Sequence, residues 1–252
     1  MDLNAIKSRL NQLQTTNNRT SNLWKPSPGN QIVRIVPYKF NKDNPFIELY
    51  FHYGLAGKNY LSPISFGRPD PFEEFAQKLK GTGSKDDYRL ARKVEAKMRT
   101  YAPVIVRGEE SQGVKFWGFG KTVYQELLSI IADPDYGDIT DTTSGRDIAV
   151  EFKTAEETGK NFPSTSIRVK PNQTPITEDA SVLETITESQ KNITEIYTER
   201  SYDELTQALN DYLNGDSSGE ETTKKEEVVK TAPVSTFDKK ETSEAFDDLF
   251  NS

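Results

Sequence analysis

Between Lys78 and Arg107 the chain holds nine lysines and arginines against three acidic residues. The cations are Lys78, Lys80, Lys85, Arg89, Arg92, Lys93, Lys97, Arg99 and Arg107. Tyr88 and Tyr101 are interleaved with them, and Lys115, Trp117, Phe119 and Lys121 follow closely. These types in this spacing suit contact with single-stranded nucleic acid. Cations neutralise phosphates, and flat rings stack on unpaired bases at about 1–3 kcal/mol each. Arg89, Arg92, Lys93 and Lys97 are spaced so that one helix could turn several of them toward one groove. The alternative is a solvated charged helix. The surplus sits inside an otherwise acidic chain and beside strand aromatics, which favours binding.

Catalytic chemistry finds little support. The chain has no cysteine, so disulfides, thiolate metal sites and cysteine nucleophiles are excluded. His52 is the only histidine, which argues against a histidine triad or a multi-histidine metal site. No Gly-x-Ser-x-Gly or His-Glu-x-x-His pattern occurs. Asp133, Asp135, Asp138 and Asp141 resemble a loose calcium-binding run. Their spacing is irregular and the closing bidentate Glu is missing, so they read as a solvated loop. Phe116–Lys121, FWGFGK, lacks phosphate-loop spacing. Its alternation puts Trp117 and Phe119 on one face and Phe116 with Gly118 on the other, and one face must be core.

The elements that must carry these residues are short. Gln31–Tyr38 and Phe46–Tyr53 have strand character, as do Pro103–Arg107, Val114–Gly120, Ile148–Lys153 and Ser166–Lys170. A helix is expected over Thr122–Ala132, with Val123, Leu127, Ile130 and Ile131 on one face. Short strands with one inserted helix suggest a small barrel and a mainly β, α+β chain. An insertion at 54–102 carries two helical pieces, Pro71–Lys80 and Asp86–Lys97. A short amphipathic helix is expected over 2–14, on Leu3, Ile6, Leu10 and Leu13. Residues 181–200 could form a Thr/Glu-rich helix. Ser201 and Glu204 make a capping box ahead of Leu205, Leu209 and Leu213.

Charge divides the chain. Residues 1–175 carry 25 Lys+Arg and 20 Asp+Glu; residues 176–252 carry 7 and 19. A basic body therefore precedes an acidic tail. Residues 216–243 have almost no apolar content and read as disordered. The end pairs acids with Phe246, Leu249 and Phe250, as a short recognition peptide would. No apolar run approaches the ~20 residues of a membrane-spanning helix, and the start lacks a signal-peptide core. A cytosolic or host-cytoplasmic setting fits.

In order, IVRIVPY (32–38), FHYGL (51–55), RTYAPVIV (99–106), VKFWGFGK (114–121), SYDELTQAL (201–209) and the closing FDDLFNS resemble the gene-32-type single-stranded DNA-binding proteins of T-even-like tailed phages. The resemblance covers nearly the whole chain. It implies a non-enzymatic protein without cofactor, built on an OB-fold barrel with an inserted subdomain, that coats single-stranded DNA cooperatively in replication, recombination and repair. It implies four parts: a protomer-contact segment at 1–19, a binding core at 20–176, a helical extension at 177–215 and an acidic tail at 216–252. Tyr88, Tyr101, Trp117 and Phe162 fall near the family's cleft aromatics. Arg89, Arg92, Lys93, Lys97, Arg99 and Lys121 fall at or near its cleft cations, with Lys115 beside them. Phe246, Asp247, Asp248, Leu249 and Phe250 correspond to the end that recruits phage replication and recombination proteins. Lys7 and Arg9 stand for a protomer-contact cluster that is thin here. Relatives with zinc use one histidine and three cysteines in the insertion. His52 matches the histidine, and the cysteine region reads SPISFGRPDPFEEF, so a zinc-free subdomain packed by Tyr60, Phe66, Phe72 and Phe75 is expected. Other readings are an RNA-binding OB-fold protein, or an interaction protein that acts through its tail alone. A nuclease would need a metal-carboxylate cluster that the sequence does not offer.

Overall fold

The computed structural model describes residues 22–214. The expected helix at 2–14, Lys7, Arg9, and the tail with Phe246–Phe250 lie outside them. In chain order the elements are strands β1 (Leu23–Trp24), β2 (Gly29–Ile35), β3 (Ile47–Leu55) and β4 (Lys58–Leu61), then helices α1 (Pro71–Gly81) and α2 (Lys85–Val94). Strands β5 (Lys97–Val106) and β6 (Lys115–Phe119), helix α3 (Lys121–Ile131), strand β7 (Arg146–Lys153), the one-turn helix α4 (Ala155–Thr158) and strand β8 (Ser164–Gln173) follow. Helices α5 (Ala180–Glu188) and α6 (Tyr202–Asn214) come last. The chain is thus mixed α+β. It divides into two compact units. Among the described residues the first holds 22–49 and Met98–Tyr197; the second holds Tyr50–Lys97 and 198–214.

In the first unit the strand order is β1-β6-β5-β2-β7-β8. All neighbours are antiparallel except β1 and β6. β2 serves two partners in succession: its first half pairs with β7 and its second with β5, and Val33 stands opposite both Ile148 and Val106. Trp24, Val33, Ile35, Val104, Trp117, Phe119, Leu127 and Ile148 are buried together. Val123 and Leu127 of α3 join them, as the period of three to four residues predicts.

The opposite sheet face is covered as well. Val36 and Ile105 pack with Ile176 and Ile186 from the chain after β8. Gln190 continues this strap, accepting from the Lys39 N–H at 3.0 Å and donating to the Pro37 carbonyl at 2.9 Å. Strict alternation would leave Arg34 facing solvent, yet its side chain is fully buried, paired with Asp147 at 2.9 Å.

The second unit is helical around the β3–β4 hairpin. Asp70 caps α1 by accepting the Phe72 N–H at 2.9 Å, and Pro71 occupies the first turn, where a missing N–H costs nothing. Phe72, Phe75, Ala76 and Leu79 of α1 bury against Leu90, Ala91 and Val94 of α2 and Leu205 and Leu209 of α6. Tyr60 packs on this cluster; Phe66 does not belong to it and instead lies 5.1 Å beneath the Arg68 guanidinium. The capping box of α6 is formed in both directions, Ser201 N–H to Glu204 at 2.8 Å and Glu204 N–H to Ser201 at 3.2 Å. α2 stops at Val94 because Glu95 is extended, with ψ 146°. Lys97 therefore begins β5 and does not share the helix with Arg89, Arg92 and Lys93.

The aspartate run forms local turns. One Asp141 carboxylate oxygen accepts the N–H groups of Thr143 and Ser144 at 2.8 and 2.7 Å and both their hydroxyls. Those bonds, the Ser144 N–H first, hold its carboxyl well below the usual carboxylate range. The folded value is lower than the unfolded one. The contribution is complete above about pH 4 and fades as pH falls through the depressed folded value. Urea midpoints should accordingly fall on acidification below about pH 4, and Asp141→Ala should show a smaller fall.

Candidate nucleic-acid interface

In the first unit a concave pocket of about 270 Å3 opens where the ends of β6 and the β7–β8 hairpin meet. Lys25, Pro26, Arg99, Gly118, Gly120, Phe152 and Thr165 line it, and Trp117, Phe119 and Val123 contribute buried walls. Phe152 and Thr165 are direct cross-strand partners. The same hairpin carries Phe162, 75 % exposed, with Lys153 and Lys160 exposed near it. Arg99 reaches across β6 and donates to the Gly118 carbonyl at 2.6 Å. Lys121 is exposed at the start of α3, whose cap residue Gly120 supplies no side-chain acceptor.

Glycine at 118 is required by its neighbours. A Cβ there would fall 2.7 Å from the Tyr101 ring and 3.3 Å from Arg99 Nε. The Tyr101 ring lies over this position, and its hydroxyl is 2.6 Å from that of Tyr197 at the end of the strap. Burial, then the Tyr197 hydroxyl, pushes the Tyr101 phenol far up from its ordinary value.

Two of the expected stacking residues are therefore corrected. Tyr101 is 6 % exposed and Trp117 is 1 % exposed. Trp117 packs edge-on against Trp24 at 5.6 Å and against Phe119 at 4.7 Å. A base needs a free ring face, and neither residue offers one. Both aromatics of the Trp117/Phe119 face are core. Phe162 and Tyr88, the latter 53 % exposed on α2, keep open faces. Lys115 is mostly covered, bonded to Gln112 and 3.3 Å from Glu109.

In the second unit α2 exposes Tyr88, Arg89, Arg92 and Lys93 on its surface. Arg89 pairs with Asp86 at 2.9 Å, both ends open to solvent, so the pair is weak and exchangeable. Glu95 gathers three cations: Lys80, Arg92 at 2.6 Å and Lys97 at 2.9 Å. Burial alone would raise the Glu95 carboxyl, but the hydrogen bonds from Lys80 and Lys97 hold it below its ordinary value. The cations are thus held close together around a single negative charge.

Sequence reasoning missed Lys25, Phe152 and Thr165. Lys25 is isolated from the basic run. Phe152 and Thr165 become neighbours only through the β7–β8 register, which no local signal announces.

The gp32 DNA binding protein-like family matches residues 27–214, which is most of the chain and takes in both units. The chain belongs to that family. No curated protein matches it significantly. The resemblance in sequence raises the question of a metal at His52, and the residues present do not fit one. Both ring nitrogens of His52 are taken, by the Val94 carbonyl at 2.6 Å and by Asp70 at 2.9 Å. Asp70 is further engaged by Ser62 and Phe72, and Glu73 by the Ala96 N–H. Among the described residues no group of three or more His, Cys, Asp or Glu could hold a metal ion.

Proposed function

We propose that this gp32-like chain is a sequence-nonspecific single-stranded DNA-binding protein that holds DNA by phosphate neutralisation and base stacking. The observation that carries the reading is the first-unit pocket, where Arg99 and Lys25 flank a floor of strand aromatics beside the exposed Phe162. The pocket is smaller than the roughly 300–1,000 Å3 of typical small-molecule sites. It suits one flat ring with a phosphate at its rim. The exposed cations of α2, Arg89, Arg92 and Lys93, and also Lys97 and Lys121, supply further phosphate contacts. No base-reading pattern accompanies them, so sequence should matter little.

The family supports the remaining parts. The first unit is read as an OB-fold barrel, for which the sharing of β2 between β5 and β7 speaks. Cooperative coating of DNA, with Lys7 and Arg9 meeting the neighbouring protomer, belongs to the same proposal. So do action in phage replication, recombination and repair within the host cytoplasm, and recruitment of partner proteins through Phe246–Phe250. In this reading the burial of Tyr101 and Trp117 gives them a supporting role: Trp117 forms part of the pocket wall, and the Tyr101 ring lies over Gly118.

The test is a titration of the full chain with oligo-dT, followed by anisotropy of labelled DNA at several salt concentrations. Log K should fall linearly with log salt, at about −0.7 for each phosphate neutralised. A flat dependence would remove the electrostatic site. Equal competition by an RNA oligonucleotide of the same length would widen the reading from DNA to single strands in general.

A further inference from the structure

Three cations of the second unit converge on one carboxylate, and each comes from a different element. Lys80 lies in the last turn of α1, Arg92 in the last turn of α2, and Lys97 opens β5. Lys80 donates to Glu95 Oε2, and Arg92 and Lys97 donate to Oε1 at 2.6 and 2.9 Å. The backbone fixes this meeting point. The Glu95 N–H donates to the Ala91 carbonyl at 2.9 Å, Lys97 Nζ also donates to the Arg92 carbonyl at 2.9 Å, and Glu73 is engaged by the Ala96 N–H. Exposure separates the charges. The Glu95 side chain is 11 % exposed, against 36, 59 and 43 % for Lys80, Arg92 and Lys97. The anion is covered and the cations keep open sides. Helix C-termini favour cations, which accounts for Lys80 and Arg92 one at a time. It does not account for both meeting a strand lysine on a covered carboxylate. Nor do the charges cancel: Glu95 offsets one of the three, and Glu73, at the neighbouring N–H, offsets at most a second.

We propose that Lys80, Arg92 and Lys97 form a seat for adjacent backbone phosphates of the bound strand, and that Glu95 is the internal counter-ion that gathers the seat and limits its affinity. The proposal rests on the nucleic-acid reading of the chain and brings Lys80 and Glu95 into it. A phosphodiester carries one negative charge on two free oxygens, as a carboxylate does, so donors arranged for Glu95 also suit phosphate. Each cation has donors to spare, since an ammonium has three N–H groups and a guanidinium five. The exposed side of each cation can therefore take a phosphate while Glu95 keeps the covered side. Glu95 then acts in two opposed ways. It holds three long side chains together before DNA arrives, so less rotamer freedom is lost on binding. Its charge also opposes a phosphate bound to the same cations. In Glu95→Gln the opposing charge is gone, and an amide oxygen remains to hold Arg92 and Lys97. Binding should therefore tighten when this acid is neutralised. A cluster that only braced the fold would give no such gain.

The experiment is anisotropy of labelled oligo-dT with the full chain at several salt concentrations, with the Tm of each variant from circular dichroism. Glu95→Gln should bind several-fold tighter than the parent at low salt, and the gain should shrink at high salt as screening weakens the repulsion. Lys80→Gln should bind several-fold more weakly, with the slope of log K against log salt lower by about 0.7, the share of one phosphate. Glu188→Gln removes the same charge from the first unit, where Glu188 pairs with Lys39, and should stay near the parent. An equal gain from Glu188→Gln would reduce the effect to net charge and overturn the seat. So would unchanged or weaker binding by a folded Glu95→Gln. If Glu95→Gln fails to fold, Lys80→Gln decides: a lower Tm with unchanged affinity and slope would make the cluster structural only. Should the parent itself fail to bind oligo-dT, the nucleic-acid reading falls and the seat with it. A parent that binds with the expected salt slope, beside variants that break these expectations, loses the seat alone.

Discussion

Replacing Arg92 and Lys93 together with glutamine should lower the slope of log K against log salt by about 1.4, at roughly 0.7 for each phosphate of a single strand that is no longer neutralised. Both side chains are exposed on α2. Affinity should fall alike for oligo-dT, oligo-dA and mixed sequences, because phosphates carry no base identity. The fold should survive. Glu95 keeps Lys80 and Lys97 as partners after Arg92 is neutralised, and the buried face of α2, Leu90, Ala91 and Val94, is untouched. Phe162→Ala is the matched control. Its ring is 75 % exposed and packs into no core, so truncation should leave stability near the parent's. Loss of one stacked base should weaken binding roughly 5- to 150-fold while the salt slope stays constant. Anisotropy titrations at four or five salt concentrations measure both quantities. If the double substitution lowered affinity with no change in slope, phosphates do not lie along α2. If Phe162→Ala changed the slope but not the affinity at low salt, stacking at the hairpin tip would be the wrong description.

The contrast between these substitutions reflects how much of the molecule is written locally in its sequence. Among the described residues periodicity found α1, α2, α3 and α6 and most strands, since apolar spacing of two or of three to four is a local pattern. The helix expected over 181–200 ends at Glu188, with a 3-10 turn at Ile193–Ile196, and α4 was not expected. α1, α3 and α6 start within a residue of their expected positions, and the Ser201–Glu204 capping box is present as its spacing predicts. Exposure could not be read the same way. Trp117 and Phe119 share a face, as alternation requires, but Phe116 on the other face is equally aromatic and equally buried, so the pattern could not say that both sides are covered. Tyr101 is hidden by Tyr197, and Arg34 by Asp147, partners 96 and 113 positions away. The end of α2 had no glycine or proline to announce it. Glu95 turns the chain out where three cations converge on its carboxylate, and Lys97 leaves the helix with it. The pocket was the least visible feature. β1 is two residues long, and Lys25, Arg99 and Phe152 meet only once the sheet has formed.

The long-range pairing of Arg34 carries the other large expectation. Asp147 stands between two guanidiniums. Arg34 Nε donates to Oδ1 at 2.9 Å, and Arg107 donates through Nε and Nη2 at 3.1 and 3.0 Å. Further donors of both arginines go to the strap: Arg34 Nη2 to the Thr174 carbonyl at 2.8 Å, Arg107 to those of Pro175 and Ile176 at 3.0 and 2.7 Å, while Arg34 Nη1 reaches the Asp141 carbonyl at 3.5 Å. One carboxylate therefore bridges the two guanidiniums that pin residues 174–176 across the sheet. A guanidinium cannot shed its proton at any ordinary pH. With Asp147→Ala, Arg34, whose side chain has no solvent exposure, would be left charged and unpaired. A loss of about 3–5 kcal/mol is expected, with Tm falling on the order of 10 °C. Asp147→Asn should be little better, since its amide carries no charge. Replacing Arg34 and Asp147 together, by methionine and leucine, should cost less than Asp147→Ala alone. The buried charge is then gone, and Arg107, with its side chain 21 % exposed, can turn to water. Urea unfolding of the three variants decides the matter. Should the double variant be less stable than Asp147→Ala, the carboxylate is not acting by neutralising Arg34, and the strap must be held chiefly by the apolar contacts of Ile176 and Ile186 on Val36 and Ile105.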